Sequence, residues 1–271
     1  MTLSPSPRYA LPGSDLTYRV QGEGPDVVLA HGLGGLFHSW SELMPRLSRT
    51  HRVWEVAFPD FDSATTHARG GNSVEDYAGD LARFVDHVKL DRAAVIGNSL
   101  GGQVATTFAA SDPERVRALV LLSSSGIGEQ REGYSLFPGN AVRRLVKAID
   151  PDVVRMLMRT IFENDTCFEA QLPAIGARLN DRKWKLGLLT TARRVRDACI
   201  LGLLPSLGCP TLMVYGDRDQ IVPVRYAKAA APLVRDAQLE VLAGVGHAPQ
   251  IERPEETHGS VLRFLVRARW A

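Results

Sequence analysis

A serine with a glycine two residues to either side, Gly97-Asn98-Ser99-Leu100-Gly101, stands directly behind the apolar run Ala93 to Ile96 and opens a helical pattern at Leu100. So sharp a turn from strand to helix strains the backbone of its central residue, and a side chain at position 97 or 101 would collide with the strand or the helix. The Ser99 hydroxyl is thereby presented above the strand ends. It is a weak nucleophile near neutral pH, so acyl chemistry here demands a base to take its proton and an acid to orient that base. Both have candidates downstream. The run ending at Tyr215 is followed by Gly216-Asp217-Arg218-Asp219-Gln220-Ile221-Val222-Pro223, and the run around Leu239 to Leu242 by Gly244-Val245-Gly246-His247. Each polar group falls just past the carboxyl end of a strand, in the order Ser, Asp, His; position alone leaves Asp217 and Asp219 both open as the acid. His247 alone among the seven histidines has this placement. His51, His67, His87 and His258 fall at strand starts, in loops or on helix surfaces, where a solvated imidazole is expected.

The elements that would position these groups alternate along the chain. Asp26 to Ala30, Ala93 to Ile96, Ala118 to Leu122 and Thr211 to Tyr215 are nearly continuous apolar runs, the pattern of strands covered on both faces. Between them Val74, Tyr77, Ala78, Leu81, Phe84, Val85 and Val88 recur at helical spacing behind a cap at Asn72 or Ser73, and Gln103 to Ala110 forms a second helix ended near Asp112-Pro113. Short connections between parallel strands imply a doubly wound α/β sheet. From about Gly126 to Leu203 the rhythm breaks. Candidate helices at Asn140 to Ile149, Pro151 to Phe162, Glu169 to Leu179 and Arg182 to Leu201 follow one another without a clear strand, so residues 126–203 read as a helical cap inserted into a core of residues 1–125 and 204–271. The cap region carries a basic excess, a hint of an anionic ligand.

Composition narrows the chemistry. A chain of 271 residues with 45% hydrophobic and 23% charged residues is in the ordinary globular range. Its 32 Lys and Arg against 30 Asp and Glu leave a net charge of +2, too little for a nucleic-acid partner. No apolar run reaches the length of a membrane span, and Met1 to Asp15 lacks the pattern of a signal peptide, so a cytoplasmic protein is expected. Cys167, Cys199 and Cys209 have no metal-ligand spacing and are expected as buried free thiols; no metal and no cofactor are expected.

Taken together these residues resemble the α/β-hydrolase superfamily over about Leu16 to Leu265. The resemblance implies an α/β-hydrolase fold, a mostly parallel sheet with an inserted helical cap, and a serine hydrolase acting on a small-molecule acyl substrate. The HG-x-G loop of the family falls on His31-Gly32-Leu33-Gly34, which implies an oxyanion hole formed by the N–H groups of Leu33 and Leu100, with His31 positioning its loop. The family pattern G-x-x-D-x-x-x-P falls on Gly216, Asp219 and Pro223, which assigns the acid to Asp219 and leaves Asp217 as a turn former. Ser99, His247 and Asp219 then form the catalytic triad. Some members carry the acid after the sixth strand, but Ser123-Ser124-Ser125-Gly126 offers no carboxylate there. The glycine-rich turn common after the fourth strand is replaced by Phe58-Pro59-Asp60-Phe61-Asp62-Ser63. The elbow also looks like that of hydrolases that cleave carbon-carbon bonds in meta-cleavage products, although these usually carry tryptophan where Ala248 follows His247. That alternative, and a non-hydrolytic ligand-binding protein on the same fold, stand beside the ester hydrolase. Gly34, Asn98 and Ala248 are expected at the substrate pocket, with Arg193 and Arg196, which share a helix face, as a possible anion clamp.

Overall fold

Strands sandwiched between helix layers must be apolar on both faces, and the runs read from the sequence become the centre of such a sheet. The computed structural model describes residues 7–35, 39–59, 69–128 and 151–268. The strands are β1 (Tyr9–Ala10), β2 (Thr17–Gln21), β3 (Asp26–Ala30), β4 (Arg52–Ala57), β5 (Ala93–Asn98), β6 (Val116–Leu122), β7 (Thr211–Gly216) and β8 (Ala237–Leu242), forming one eight-stranded sheet in the order β1-β2-β4-β3-β5-β6-β7-β8. From β4 to β8 every pairing is parallel, while β1 and β2 run antiparallel at one edge.

The helices are α1 (Leu43–Leu47), α2 (Val74–His87), α3 (Leu100–Ser111), α4 (Pro151–Ile161), α5 (Asp165–Leu179), α6 (Arg182–Val195), α7 (Val224–Ala230), α8 (Pro249–Glu252) and α9 (Pro254–Arg267). Strand residues divide between two cores with period two. On β3, Val28 and Ala30 face the layer of α2 and α3, packed with Tyr77, Phe84 and Phe108. Val27 and Leu29 face α1 and α9, packed with Trp40, Met44 and Phe264. Each Val, Leu, Phe or Met side chain among them contributes about 1.5–3 kcal/mol on full burial.

Local signals set the helix starts. Ser73 closes a capping box with Asp76 on α2, and Asn164 and Asp181 accept N–H groups of the first turns of α5 and α6. The Asn164 cap is why α5 opens at Asp165, a turn before the expected Glu169. The last expected helix stops at Val195 instead of Leu201 because tertiary bonds take the following backbone: Gln103 Nε2 donates to the Ala198 carbonyl at 3.2 Å and the Ile200 N–H to the Gly126 carbonyl at 2.9 Å. The expected helix at Asn140 to Ile149, the turn at Asp60 to Ser63 and His67 lie outside the described residues.

Two side-chain expectations need correction. His51 is buried, with Nδ1 2.9 Å from the Thr50 hydroxyl and its backbone N–H donating to the Leu47 carbonyl at 3.0 Å in the turn that joins α1 to β4. Of the three free thiols only Cys209 is buried, which pushes its pKa to about 11, while Cys167 is half-buried and Cys199 exposed beyond the end of α6. Among the described residues no helix is long and apolar enough to cross a membrane.

The helical stretch between β6 and β7 docks on the segment preceding α2. There the Asn72 N–H donates to Thr191 Oγ1 at 3.1 Å, and Arg194 donates to the Arg69 carbonyl at 3.0 Å. Gly71 has φ +100°, and a β-carbon on it would stand 2.7 Å from the Thr190 carbonyl carbon and the Thr191 nitrogen. Gly71→Ala is therefore expected to destabilise the protein by about 1–3 kcal/mol through overpacking and strain, read as a lower urea midpoint. Gly176→Ala, inside α5 with open space around its β-position, is expected to stabilise it by about 0.5–1 kcal/mol in the same titration.

Candidate active site

The chain runs from β3 outward to β4, then crosses back to place β5 on the other side of β3. At such a reversal the loops leaving two neighbouring strands diverge and open a crevice above their carboxyl ends. Those two loops are His31 to Gly35 and the turn at Ser99.

Ser99 sits between β5 and α3 with φ 54° and ψ −118°, a conformation costing a residue with a β-carbon about 1–3 kcal/mol. The surroundings hold it there. Its N–H donates to the Leu122 carbonyl at 3.1 Å, and its carbonyl accepts the N–H groups of Gly102 at 2.9 Å and Ser125 at 3.2 Å. The flanking glycines are steric requirements: a β-carbon on Gly97 would lie 2.2 Å from the Gly101 carbonyl oxygen, and one on Gly101 would lie 2.1 Å from that of Ala30. The backbone of α3 thus rests directly on β5 and β3.

Leu33–Gly35 forms a single 3₁₀ turn, with Gly34 at φ 89° and Gly35 at φ 50°. It closes on the elbow, since the β-position of Gly32 is 3.3 Å from Ser99 Cβ. His31 pins this loop from behind. Its Nε2 accepts the Phe58 N–H at 3.0 Å, which assigns the proton to Nδ1, and Nδ1 in turn donates to the Gly32 carbonyl at 2.7 Å. Leu100 is the first residue of α3, so its N–H has no partner within the helix, and the helix dipole adds positive potential there. The Leu33 N–H opens the neighbouring turn.

His247 follows β8 and is buried, as is Asp219 after β7. His247 Nδ1 lies 2.9 Å from Asp219 Oδ2 and 3.1 Å from Oδ1. Oδ1 also accepts the N–H groups of Ile221 at 2.9 Å and Val222 at 2.8 Å, so the carboxylate is fixed by its own turn as well. Asp217 is engaged elsewhere: its Oδ1 accepts the Gly244 N–H at 2.7 Å. Of the two aspartates, Asp219 is thus the one bonded to the imidazole. Asn98 joins the elbow to the histidine loop, its side-chain amide donating to the carbonyls of Leu122 at 2.9 Å and His247 at 3.4 Å. Among the described residues the imidazole's hydrogen bonds run to Asp219, and none joins it to the Ser99 hydroxyl.

The remaining expected pocket residues separate. Gly34 and Ala248 are buried beside the elbow loop and the histidine respectively, Ala248 packing with Phe162, Phe168 and Ile251. Arg193 is exposed, and Arg196, at the end of α6, is paired in two hydrogen bonds with Asp197. The guanidinium that turns to the protein is Arg194, which is held by the Arg69 carbonyl and faces Asp76.

Two groups around the site carry no sequence signal of their own. Tyr215 is a buried strand residue whose hydroxyl donates to the Ser124 carbonyl at 3.0 Å, and burial, then the nearby Asp219, push its pKa well up. Glu252 lies five residues after His247 and is buried; desolvation pushes its carboxyl above the usual range despite the backbone N–H groups bonded to it. A single glutamate between Ile251 and Arg253 gives no periodicity to read. Among the described residues no group of three His, Cys, Asp or Glu side chains could hold a metal ion.

A sequence model of the alpha/beta hydrolase fold family matches residues 25–254. The chain is 29% identical to the dihydrolipoyllysine-residue acetyltransferase component of the acetoin cleaving system of Pseudomonas putida, over 96% of this chain and 70% of that protein. It is 28% identical to the pimeloyl-[acyl-carrier protein] methyl ester esterase of Vibrio campbellii, over 87% of this chain and 92% of that one. Among solved structures, a bacterial membrane phospholipase A superposes with a TM-score of 0.84 at 25% identity, covering 98% of this chain and 87% of that one. With the family match spanning most of the sequence and the sheet order and elbow in agreement with it, the chain belongs to the alpha/beta hydrolase fold family and is a hydrolase enzyme.

Proposed function

We propose that the protein hydrolyses a carboxylic ester or related small acyl compound through a triad of Ser99, His247 and Asp219. The observation that carries this reading is the buried Asp219–His247 hydrogen bond, in a loop that Asn98 ties to the strained elbow bearing Ser99. A similar methyl ester esterase among the relatives supports the same bond class.

In the first half-reaction His247 Nε2 accepts the Ser99 hydroxyl proton as the oxygen attacks the substrate carbonyl. That Nε2 is available follows from Nδ1 being committed to Asp219, which holds the tautomer and stabilises the imidazolium. The tetrahedral oxyanion is received by the N–H groups of Leu33 and Leu100, placed by the 3₁₀ turn and the head of α3. His247 then returns its proton to the leaving alcohol, and a water activated by the same imidazole releases the acid from Ser99. The hydroxyl–imidazole hydrogen bond belongs to the substrate complex, as catalytic contacts commonly tighten only when the site is filled. Residues 126–203 act as a helical cap that shapes the pocket over this machinery, with 1–125 and 204–271 as the core. With Arg194 turned to Arg69 and Arg196 to Asp197, a neutral ester suits the site better than a carboxylate-bearing diketone.

Ser99→Ala and His247→Ala are each expected to lower kcat on p-nitrophenyl butyrate by about 10⁴-fold or more with the thermal melt preserved. A fluorophosphonate probe is expected to label wild type at Ser99, and labelling elsewhere or retained turnover in Ser99→Ala would sink the proposal. The two aspartates separate in the same assay. Asp219→Asn is expected to cost up to about 10⁴-fold in kcat, whereas Asp217→Asn, whose amide oxygen still accepts the Gly244 N–H and loses only the charge assistance, is expected to cost at most about 1 kcal/mol of stability and little activity. A larger kcat loss at Asp217 would reverse the assignment.

A further inference from the structure

The buried carboxylate of Glu252 takes no part in the chemistry above, yet each of its oxygens is bonded to backbone that matters to it. Oε1 accepts the Gly246 N–H at 3.0 Å, one residue before His247. Oε2 accepts the N–H groups of Glu163 at 2.9 Å and Asn164 at 3.1 Å, in the turn between α4 and α5. The same turn meets the histidine a second time, where the His247 N–H donates to the Ile161 carbonyl at 2.7 Å. Backbones approach so closely that a β-carbon on Gly246 would stand 2.5 Å from the Ile161 carbonyl oxygen and 2.9 Å from Glu252 Oε1. Phe162, Phe168, Ala248 and Ile251 close an apolar cluster beside the junction.

A carboxylate suits this place for a specific reason. It offers acceptors only, and all three backbone groups are donors; the pair at Glu163 and Asn164 also opens the N-terminal end of α5, where negative charge is favoured. An amide would turn an NH₂ group toward one set of donors and leave a buried N–H unpaired.

We propose that Glu252 is a positioning residue for His247, a clamp that fixes the backbone of the histidine loop and sets it by the turn between α4 and α5. The inference rests on His247 being the general base. It follows that the imidazole's reach to Ser99 depends on how the helices between β6 and β7 are seated, through a residue that touches neither substrate nor ring.

A double-mutant cycle on p-nitrophenyl butyrate tests this, with thermal melts on every variant. Glu252→Gln is expected to lower kcat by about 10²-fold with KM changed less than about threefold, since a small misplacement of a catalytic group is felt in the transition state. In a His247→Ala background the same substitution is expected to change the residual rate by less than about twofold, because the group it positions is gone. Glu252→Asp retains charge and both acceptor oxygens and is expected to recover at least about tenfold of the kcat lost in Gln; should Gln fail to fold, Asp replaces it in the cycle. Equal losses in both backgrounds, or Glu252→Gln with wild-type kcat, would overturn the clamp while leaving the triad in place. Wild-type kcat in His247→Ala would instead overturn the triad reading, and the clamp with it.

Discussion

The constraint on which the rest of the site depends is the direct seating of the α3 backbone on β5 and β3. Glycine at positions 97 and 101 lets a carbonyl oxygen come to about 2 Å of where a β-carbon would be, and that approach forces Ser99 into its positive-φ turn. The strain is local, of the order of 1–3 kcal/mol, and is sustained by bonds from Ser99 to Leu122 and Ser125 on the next strand and its loop. Sheet packing therefore holds the hydroxyl in place, and the same geometry leaves the first N–H of α3 unpaired beside it.

Parallel topology does the remaining placement. The registers Ala30↔Gly97, Asn98↔Leu122 and Gly216↔Leu242 bring the carboxyl ends of the central strands to one edge of the sheet. Residues about 150 positions apart in sequence, Asn98 and His247, meet there through a single amide. The loops themselves need little internal structure because each is only a few residues past a strand whose position is fixed by two apolar faces.

This explains what could be read in advance. Ser99 and His247 announce themselves through strand-then-glycine punctuation, which leaves Asp217 and Asp219 both open until the family pattern selects Asp219, and the strands through uninterrupted apolar runs, since these signals are local. β1 and β2 are short edge strands with mixed burial, so their antiparallel pairing has no such run to reveal it. α6 ends before the expected Leu201 because its helical pattern continues while Gln103 and Gly126, far away in sequence, claim the next backbone groups. The arginines on α6 show a related limit: helical spacing tells which side chains share a face, and only docking tells what that face meets. Docking is close there, since a β-carbon on Gly71 would meet the backbone at Thr190 and Thr191, and the exposed Arg194 reaches back to the Arg69 carbonyl.

The loop bearing His247 shows how polar groups can replace packing where a backbone is rich in glycine. Gly244 at φ 66° and Gly246 at its close contact with Ile161 are both required, and each adds chain entropy that must be offset on folding. Three carboxylates meet the segment at successive points: Asp217 on the Gly244 N–H, Glu252 on the Gly246 N–H and Asp219 on the His247 ring. Between them the Val245 carbonyl accepts the Arg218 N–H at 3.0 Å. Two of those acids, Asp217 and Asp219, come from one turn after β7, so the strand that supplies the imidazole's partner also grips its backbone. Glu252 grips it from the other side and carries the α4–α5 turn along. A buried charge-assisted bond to a backbone N–H, such as that from Gly246 to Glu252, contributes about 1.5–3 kcal/mol toward holding the loop, and the exposed bond to Asp217 contributes less. In the proposed mechanism that rigidity is what keeps Nε2 aimed at the serine through a cycle in which the ring gains and loses a proton twice.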